Sequence, residues 1–130
     1  MDKHPISLAQ LRRVPKQFSW VDQRLVRERY IDRLSHSACA LYLFLLTVAD
    51  AQGLSYYAEP TLCQRLSMSP AALRQARQDL IAHHLVAYRR PLYQVLALDA
   101  PHTQVAEPTA DDDEMVDIKA VFEHIWEALS

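Results

Sequence analysis

Residues 59–90 have the sequence EPTLCQRLSMSPAALRQARQDLIAHHLVAYRR, and no other stretch says as much about the architecture of the chain. Its pattern predicts a short helix, a tight turn, a second helix and a strand. The start of the second helix is the clearest signal. Ser69 suits the N-cap because its hydroxyl can accept a backbone hydrogen bond, and Pro70 suits the first helical position because it has no N–H to leave unpaired.

The segment before this stretch predicts a helix that is apolar on nearly every side. Ser35 can cap its start, and it runs to Ala49. It is too short to span a membrane, so other protein must cover it, as the central helix of a core or as part of a dimer interface. Gly53, the only glycine, is predicted to be left-handed as the C-terminal cap of this helix, and residues 54–57 to form a short strand.

Two flanking regions complete the predicted domain. Residues 18–21 favour a strand or an extended segment, and a short helix is predicted within residues 22–34 because apolar residues recur there at helical spacing. Residues 85–88 and 92–98 are strand-like, and the turn at 89–91 between them predicts a hairpin.

The order of helix, short strand, helix, helix and hairpin over residues 35–99 resembles the winged helix-turn-helix superfamily. The resemblance is to small prokaryotic proteins such as MarR-like and GntR-like regulators and the N-terminal domain of DnaD-type replication initiators. In those families a Leu-Ala-x-x-Leu-Gly-x-Ser segment carries the turn, and residues 62–69 are Leu-Cys-Gln-Arg-Leu-Ser-Met-Ser. Cys63 stands where a small buried residue is usual, so packing explains it better than reactivity. The implied fold is mainly α with a small β-hairpin wing, in the α+β class.

Two residues depart from the family pattern. His84 replaces the glycine that usually follows the second helix, and a left-handed backbone costs more for His than for Gly, so a different helix end is an alternative. Arg77 lies on the helical side that normally faces the core. An unpaired buried charge is very costly, so we expect Arg77 to have a carboxylate or backbone-carbonyl partner rather than DNA.

The opposite side of the second helix is the candidate DNA-binding surface. If Leu73, Ala76 and Leu80 face inward, the 3.6-residue period turns Ala71, Arg74, Gln75, Gln78 and Ala82 outward. Arg can bond guanine and Gln can bond adenine, while alanines allow close approach to the groove floor. The alternative is that Arg and Gln are simply good helix formers in water. The predicted DNA-binding residues are Ser69, Ala71, Arg74, Gln75, Gln78, Arg89 and Arg90.

The arginines of the hairpin tip and of the N-terminal region have two interpretations each. The resemblance implies that Arg89 and Arg90 reach a phosphate or the minor groove, and the alternative is a solvated turn. Basic residues nearer the N-terminus either extend the basic surface or form an ordinary wet face; they are Arg12, Arg13, Lys16, Arg24 and Arg27.

The net charge of -2 hides a division along the chain of 130 residues. Residues 1–99 contain 13 Lys and Arg against 8 Asp and Glu, or +5, whereas residues 100–130 contain 1 against 8, or -7. A basic body favours a polyanionic partner, although charge alone decides nothing.

Several classes of protein are not indicated. No apolar run approaches the roughly 20 residues of a membrane span, and the N-terminus lacks a signal-peptide pattern, so we expect a cytoplasmic protein without membrane association. Cys39 and Cys63 each lie in an apolar helical pattern and are expected to be buried thiols rather than a disulfide. The six histidines have no metal-ligand spacing, and no nucleophile elbow or phosphate loop is present. We expect no enzyme activity, no cofactor and no metal.

The predicted organisation has four parts. They are an N-terminal arm (1–17), a winged helix-turn-helix domain (18–99), an acidic linker (100–113) and a C-terminal amphipathic helix (114–130). The last helix could pack on its own domain, pair with its twin, or lie in a groove of another protein. We expect a homodimer formed through this helix, through the apolar helix 36–50, or through both. Alternatively, the acidic tail covers the basic body and weakens nonspecific DNA binding.

The sequence predicts sequence-specific binding to double-stranded DNA, as a transcriptional regulator or as an accessory factor of replication or of a mobile element. The alternative is a winged-helix module that binds another protein and not DNA. A weak net charge, a short wing and the apolar C-terminal stripe favour that alternative.

Overall fold

A computed structural model describes residues 3–98 of the chain. Within this range the α-helices are α1 (Arg24–Arg27), α2 (His36–Val48), α3 (Glu59–Leu66) and α4 (Pro70–Ala82). The strands are β1 (Leu54–Tyr56), β2 (Val86–Arg89) and β3 (Leu92–Val95), and short 3-10 turns lie at Leu8–Gln10 and Ile31–Arg33. The fold is mixed α+β, as predicted, and its layout is compatible with that of a winged helix. The predicted acidic linker and C-terminal helix lie outside the described residues.

Serine side chains begin both long helices, as the sequence predicts. Ser35 Oγ accepts a hydrogen bond from the backbone N–H of Ala38 at 3.1 Å, and Ser69 Oγ accepts one from Ala72 at 3.1 Å. Each bond satisfies a backbone donor that has no partner within the helix. Helices α2 and α4 are each 13 residues long.

Helix α2 is the centre of the core. Leu41 and Leu45 of α2 are fully buried, together with Leu62 of α3 and with Leu73 and Leu80 of α4. The prediction of a central core helix is therefore confirmed for the side of α2 that contains Leu41 and Leu45. No helix within residues 3–98 has both the length and the apolar character needed to cross a membrane.

A carboxylate fixes the start of α2 against α4. Asp79 lies on α4, and its Oδ2 accepts a hydrogen bond from the backbone N–H of Ser35 at 2.9 Å. This bond joins two helices that are 44 residues apart in sequence, so it helps to set the position of α4 on the core.

The strands form one antiparallel sheet in the order β1-β3-β2. The predicted hairpin is confirmed, with Tyr88 opposite Tyr93. Strand β1 is also confirmed, and it pairs with the other edge of β3, so that Leu54 lies opposite Gln94. The β2–β3 turn is close in sequence to the end of α4.

The N-terminal region differs from its prediction in two respects. The strand predicted as one alternative for residues 18–21 does not form, and residues 3–21 are exposed throughout. The helix predicted within residues 22–34 is interrupted, because α1 ends at Arg27 and Arg29 has a left-handed backbone with φ 62°.

Gly53 is left-handed, with φ 85°, but it does not cap α2. That helix ends at Val48, and the next residue, Ala49, is extended. Gly53 instead closes the turn that begins at Asp50, with its N–H donating to the Asp50 carbonyl at 3.0 Å. A Cβ at this position would lie 2.5 Å from the carbonyl oxygen of Val95, so only glycine fits beside β3.

His84 takes the left-handed conformation that the family pattern assigns to glycine, with φ 58°. The N–H of His84 donates to the carbonyl of Ile81 at 3.1 Å, and the N–H of Leu85 donates to the carbonyl of Leu80 at 3.0 Å. This pair of bonds is the Schellman arrangement, so α4 ends as it would with glycine.

Candidate nucleic-acid interface

Helix α4 has one buried side and one exposed side, divided as the sequence predicts. Leu73, Ala76 and Leu80 are buried. We define the outer face of α4 as five of its exposed residues, which are Ala71, Arg74, Gln75, Gln78 and Ala82; Pro70 and Ile81 are exposed as well. The placement of these residues on one surface is confirmed, and their contact with DNA stays a prediction.

The other predicted contact residues lie at the start of α4 and in the β2–β3 hairpin. Ser69 is exposed at the start of α4, although its hydroxyl oxygen already accepts the capping bond from Ala72. Arg90 is exposed in the β2–β3 turn, and Arg89 is half-buried at the end of β2 opposite Leu92. Among these, Arg90 has the greater access to an external phosphate.

A carboxylate that the sequence did not identify faces α4. Glu59 is the first residue of α3, and its Oε1 lies 3.2 Å from Nε of Arg74. Its other oxygen, Oε2, lies 3.5 Å from Nη2 of Arg77. An acidic residue in the first turn of a helix is expected from the helix dipole alone, so sequence gave no sign of this pairing.

Arg77 is held inside the structure by three partners. Its side chain is only 12% exposed, and besides Glu59 it reaches Tyr93, to whose hydroxyl oxygen Nη1 donates at 3.1 Å. The guanidinium also lies over the ring of Tyr88, 4.2 Å from the ring centroid. Stacking of this kind is favourable for a partly desolvated guanidinium. The prediction that Arg77 has a carboxylate partner is confirmed, and the two tyrosines are additional partners.

The environment of this cluster shifts two pKa values upward. Burial acts to lower the pKa of Arg77, but the hydrogen bond to Tyr93 and the electrostatic interactions with Tyr93, Tyr88 and Glu59 outweigh it and raise the pKa above its ordinary value. Burial raises the pKa of Tyr93 in spite of the hydrogen bond from Arg77. Arg77 is therefore charged and Tyr93 neutral at neutral pH. The cluster joins α3, α4 and the sheet, and leaves Arg77 unsuited to contact DNA.

Cysteine thiols and possible metal ligands are the remaining groups to consider for reactivity. Cys39 and Cys63 are both free thiols, as predicted, and both are partly rather than fully buried. Over residues 3–98, no group of three or more His, Cys, Asp or Glu side chains is arranged to hold a metal ion.

Comparison with known proteins found no relative of the chain. No family model, no curated protein and no solved structure matches the chain.

Proposed function

We propose that this protein binds double-stranded DNA through the outer face of α4, as a member of the winged helix-turn-helix superfamily. The observation that carries the proposal is the exposure of Arg74, Gln75 and Gln78 on one side of a capped helix whose other side is in the core. These residue types can bond base edges in the major groove. Ala71 and Ala82 on the same face leave room for close approach.

The turn after α4 supplies the second part of the proposed interface. Arg90 in the β2–β3 turn would contact a phosphate beside the groove that α4 enters, and Arg89 would support it. A phosphate contact fixes position and a base contact gives sequence preference. The role within the cell would be transcriptional regulation or assistance to replication or to a mobile element. A homodimer would bring two such helices to one site.

The experiment is fluorescence anisotropy with mixed-sequence duplex DNA, and then with a selected target, at two salt concentrations. Affinity is expected to fall as the salt concentration rises. The logarithm of the association constant should decrease by about 0.9 for each tenfold rise in salt and each phosphate contact. Arg74→Ala combined with Gln78→Ala should reduce preference for the selected target by about 1–3 kcal/mol for each lost base contact. Arg90→Ala should weaken binding to all sequences about equally.

A matched control separates these effects from general loss of charge. Arg33→Ala combined with Gln64→Ala removes the same two residue types from exposed positions outside α4 and the β2–β3 turn. This double variant should keep the sequence preference. Equal behaviour of the two double variants, or of the α4 variant and Arg90→Ala, would contradict the assignment.

The second candidate function is a protein-interaction module that does not bind DNA. The observation that favours it is the Glu59 carboxylate, which pairs with Arg74 and places negative charge beside the outer face of α4. Residues 35–98 contain 5 arginines against 3 acidic residues, a small excess for a DNA-binding surface. Absence of salt-dependent DNA binding in the same titration would favour this second function.

A further inference from the structure

A groove of about 410 Å³ lies between α1 and α2. Its walls are mainly apolar and include Val21, Leu25, Val26, Ile31, Cys39 and Leu43. Val26 is 64% exposed and Leu43 is 62% exposed, although Leu43 belongs to the helix at the centre of the core. Covering such side chains is favourable because it removes apolar surface from water.

The N-terminal segment extends this apolar surface along α2. Ser19 Oγ donates a hydrogen bond to the carbonyl of Thr47 at 3.2 Å, which attaches the segment to the end of α2. Trp20 follows and is 75% exposed, and the next residue, Val21, lines the groove. An exposed aromatic side chain therefore lies next in sequence to a residue of the groove wall.

The charge of this part of the chain indicates what covers the groove. Residues 3–34 contain 8 Lys and Arg against 3 Asp and Glu, or +5. A second copy that presented the same surface would bring +5 against +5, which opposes association. Residues 99–130 contain 1 Lys against 9 Asp and Glu, or -8, so their charge is complementary.

Residues 114–130 also have the apolar residues that such a groove needs. Their large apolar side chains recur at spacings of three and four residues, and these are Met115, Ile118, Phe122, Ile125, Trp126 and Leu129. This spacing is typical of an amphipathic helix that lies in an apolar groove. The same segment contains Asp117, Glu123 and Glu127 between the apolar positions.

The connection is long enough for the segment to reach the groove of its own chain. Residues 99–113 are 15 residues, which span up to ~50 Å when extended. A domain of about 100 residues has a radius of gyration of about 13 Å, so the reach exceeds its diameter. A tether of this length gives an effective concentration on the order of mM, well above that of a second molecule in dilute solution.

We propose that the groove between α1 and α2 is the docking site for residues 114–130 of the same chain. The apolar stripe fills the groove, and the acidic residues face the basic residues of the region 3–34. This inference does not depend on DNA binding, because it uses neither α4 nor the β2–β3 turn.

Cys39 provides a direct test, since it is a free thiol in the wall of the groove. In full-length protein with Cys63→Ser, the additional change Phe122→Cys should allow a disulfide between Cys39 and position 122. Oxidised glutathione serves as the oxidant and accepts the two electrons. The product should be monomeric by mass, and its formation should be at least tenfold faster than with Ala120→Cys, a position that the helical period places opposite the stripe.

A second pair of variants tests the groove itself. Leu43→Glu in the crosslinking background should slow formation of the disulfide at least tenfold, because it puts a negative charge in the apolar wall. Leu8→Glu is the matched control, since Leu8 is also exposed but does not line the groove. High salt should slow the reaction of the parent variant by weakening the attraction between residues 114–130 and residues 3–34.

Three outcomes would overturn the proposal. The first is a disulfide that forms only between two chains, which would assign the groove to a second copy. The second is an equal rate of disulfide formation for cysteine at positions 120 and 122. The third is that position 122 reacts equally well with Cys63 in a Cys39→Ser background. Circular dichroism of each variant checks that the fold is retained.

Discussion

Glu59 lies at the first position of α3, and its two carboxylate oxygens face different arginines of α4. The two pairs differ in exposure. The side chain of Arg74 is 59% exposed, so its ion pair is well solvated and contributes little to stability. Arg77 is largely enclosed and is also held by two tyrosines. Arg74 can therefore exchange Glu59 for an external partner, whereas Arg77 cannot do so without leaving a cluster that spans three elements.

If α4 contacts DNA, Glu59→Gln should tighten binding about threefold to tenfold, because a carboxylate beside the phosphates is removed and Arg74 is released. The change keeps the size of the side chain, and Arg77 keeps its contacts with Tyr93 and Tyr88. The measurement is duplex affinity by anisotropy, together with the free energy of unfolding in urea. Asp32→Asn removes the same charge from an exposed site within residues 3–34. An equal gain in both variants would mean that net charge, and not the Glu59–Arg74 pair, limits binding.

Both helices of the 59–90 stretch end through a left-handed residue that is not glycine. Ser67 has φ 53° after α3, and the N–H of Met68 donates to the carbonyl of Cys63 at 3.0 Å. His84 has φ 58° after α4. A left-handed backbone strains any residue with a Cβ, and the closing hydrogen bonds hold it in place. The turn between α3 and α4, which orients the outer face of α4, therefore contains local strain at Ser67.

Ser67→Gly should raise the free energy of unfolding by about 0.5–1 kcal/mol, because glycine adopts φ 53° without steric cost. Part of the gain is offset by the greater entropy of glycine in the unfolded chain. The measurement is urea denaturation followed by circular dichroism. Ser37→Gly is the matched control, since Ser37 lies in α2 where the backbone is right-handed. Stability should fall in that variant. A loss of stability with Ser67→Gly would contradict the assignment of strain to Ser67.

The parts of the elements that were predicted correctly depend on neighbours in sequence. Ser69 caps α4 through a bond to Ala72, three residues away, and the inward positions Leu73, Ala76 and Leu80 follow from the helical period. Such features are determined by residues within one or two helical turns of each other in the sequence. The outer face of α4 was therefore predictable in full.

The parts that were missed depend on residues far apart in sequence. Glu59 meets Arg74 across 15 residues, and sequence spacing does not specify which acidic residue of the chain will lie there. Gly53 was predicted as a helix cap, yet its need for glycine comes from the carbonyl of Val95 on a strand that follows 42 residues later. The interruption of the first helix at Arg29 was missed because its apolar spacing continues past that residue.

The two proposed binding surfaces lie in regions of the chain that differ in net charge. Residues 3–34 have a net charge of +5, and the remaining described residues, 35–98, have 5 arginines against 3 acidic residues. The proposed DNA contact uses the second region, and the proposed tail contact uses the first. Failure of one proposal therefore leaves the other intact. Loss of DNA binding would not alter the crosslink at Cys39, and absence of the crosslink would not alter the role of Arg74.

The core that supports both surfaces contains two buried tyrosines whose ionisation is coupled to folding. Burial raises the pKa of Tyr42 to about 12, with a smaller contribution from the charge of Asp22. Burial also raises the pKa of Tyr93. An unfolded tyrosine ionises near pH 10, so above that pH the unfolded chain loses protons that the folded chain retains. Stability is then complete below pH 10 and falls as the pH rises toward 12.

Tyr42→Phe should flatten this alkaline loss of stability, because phenylalanine has no proton to release on unfolding. In the natural protein the free energy of unfolding should drop by about 2 kcal/mol between pH 10 and pH 12 on account of Tyr42 alone. Urea denaturation at a series of pH values gives the slope for each variant. Tyr56→Phe is the matched control, because Tyr56 on β1 is 53% exposed whereas Tyr42 is 5% exposed. Parallel profiles for all three proteins would show that Tyr42 does not couple ionisation to folding, whatever the absolute stability of each variant.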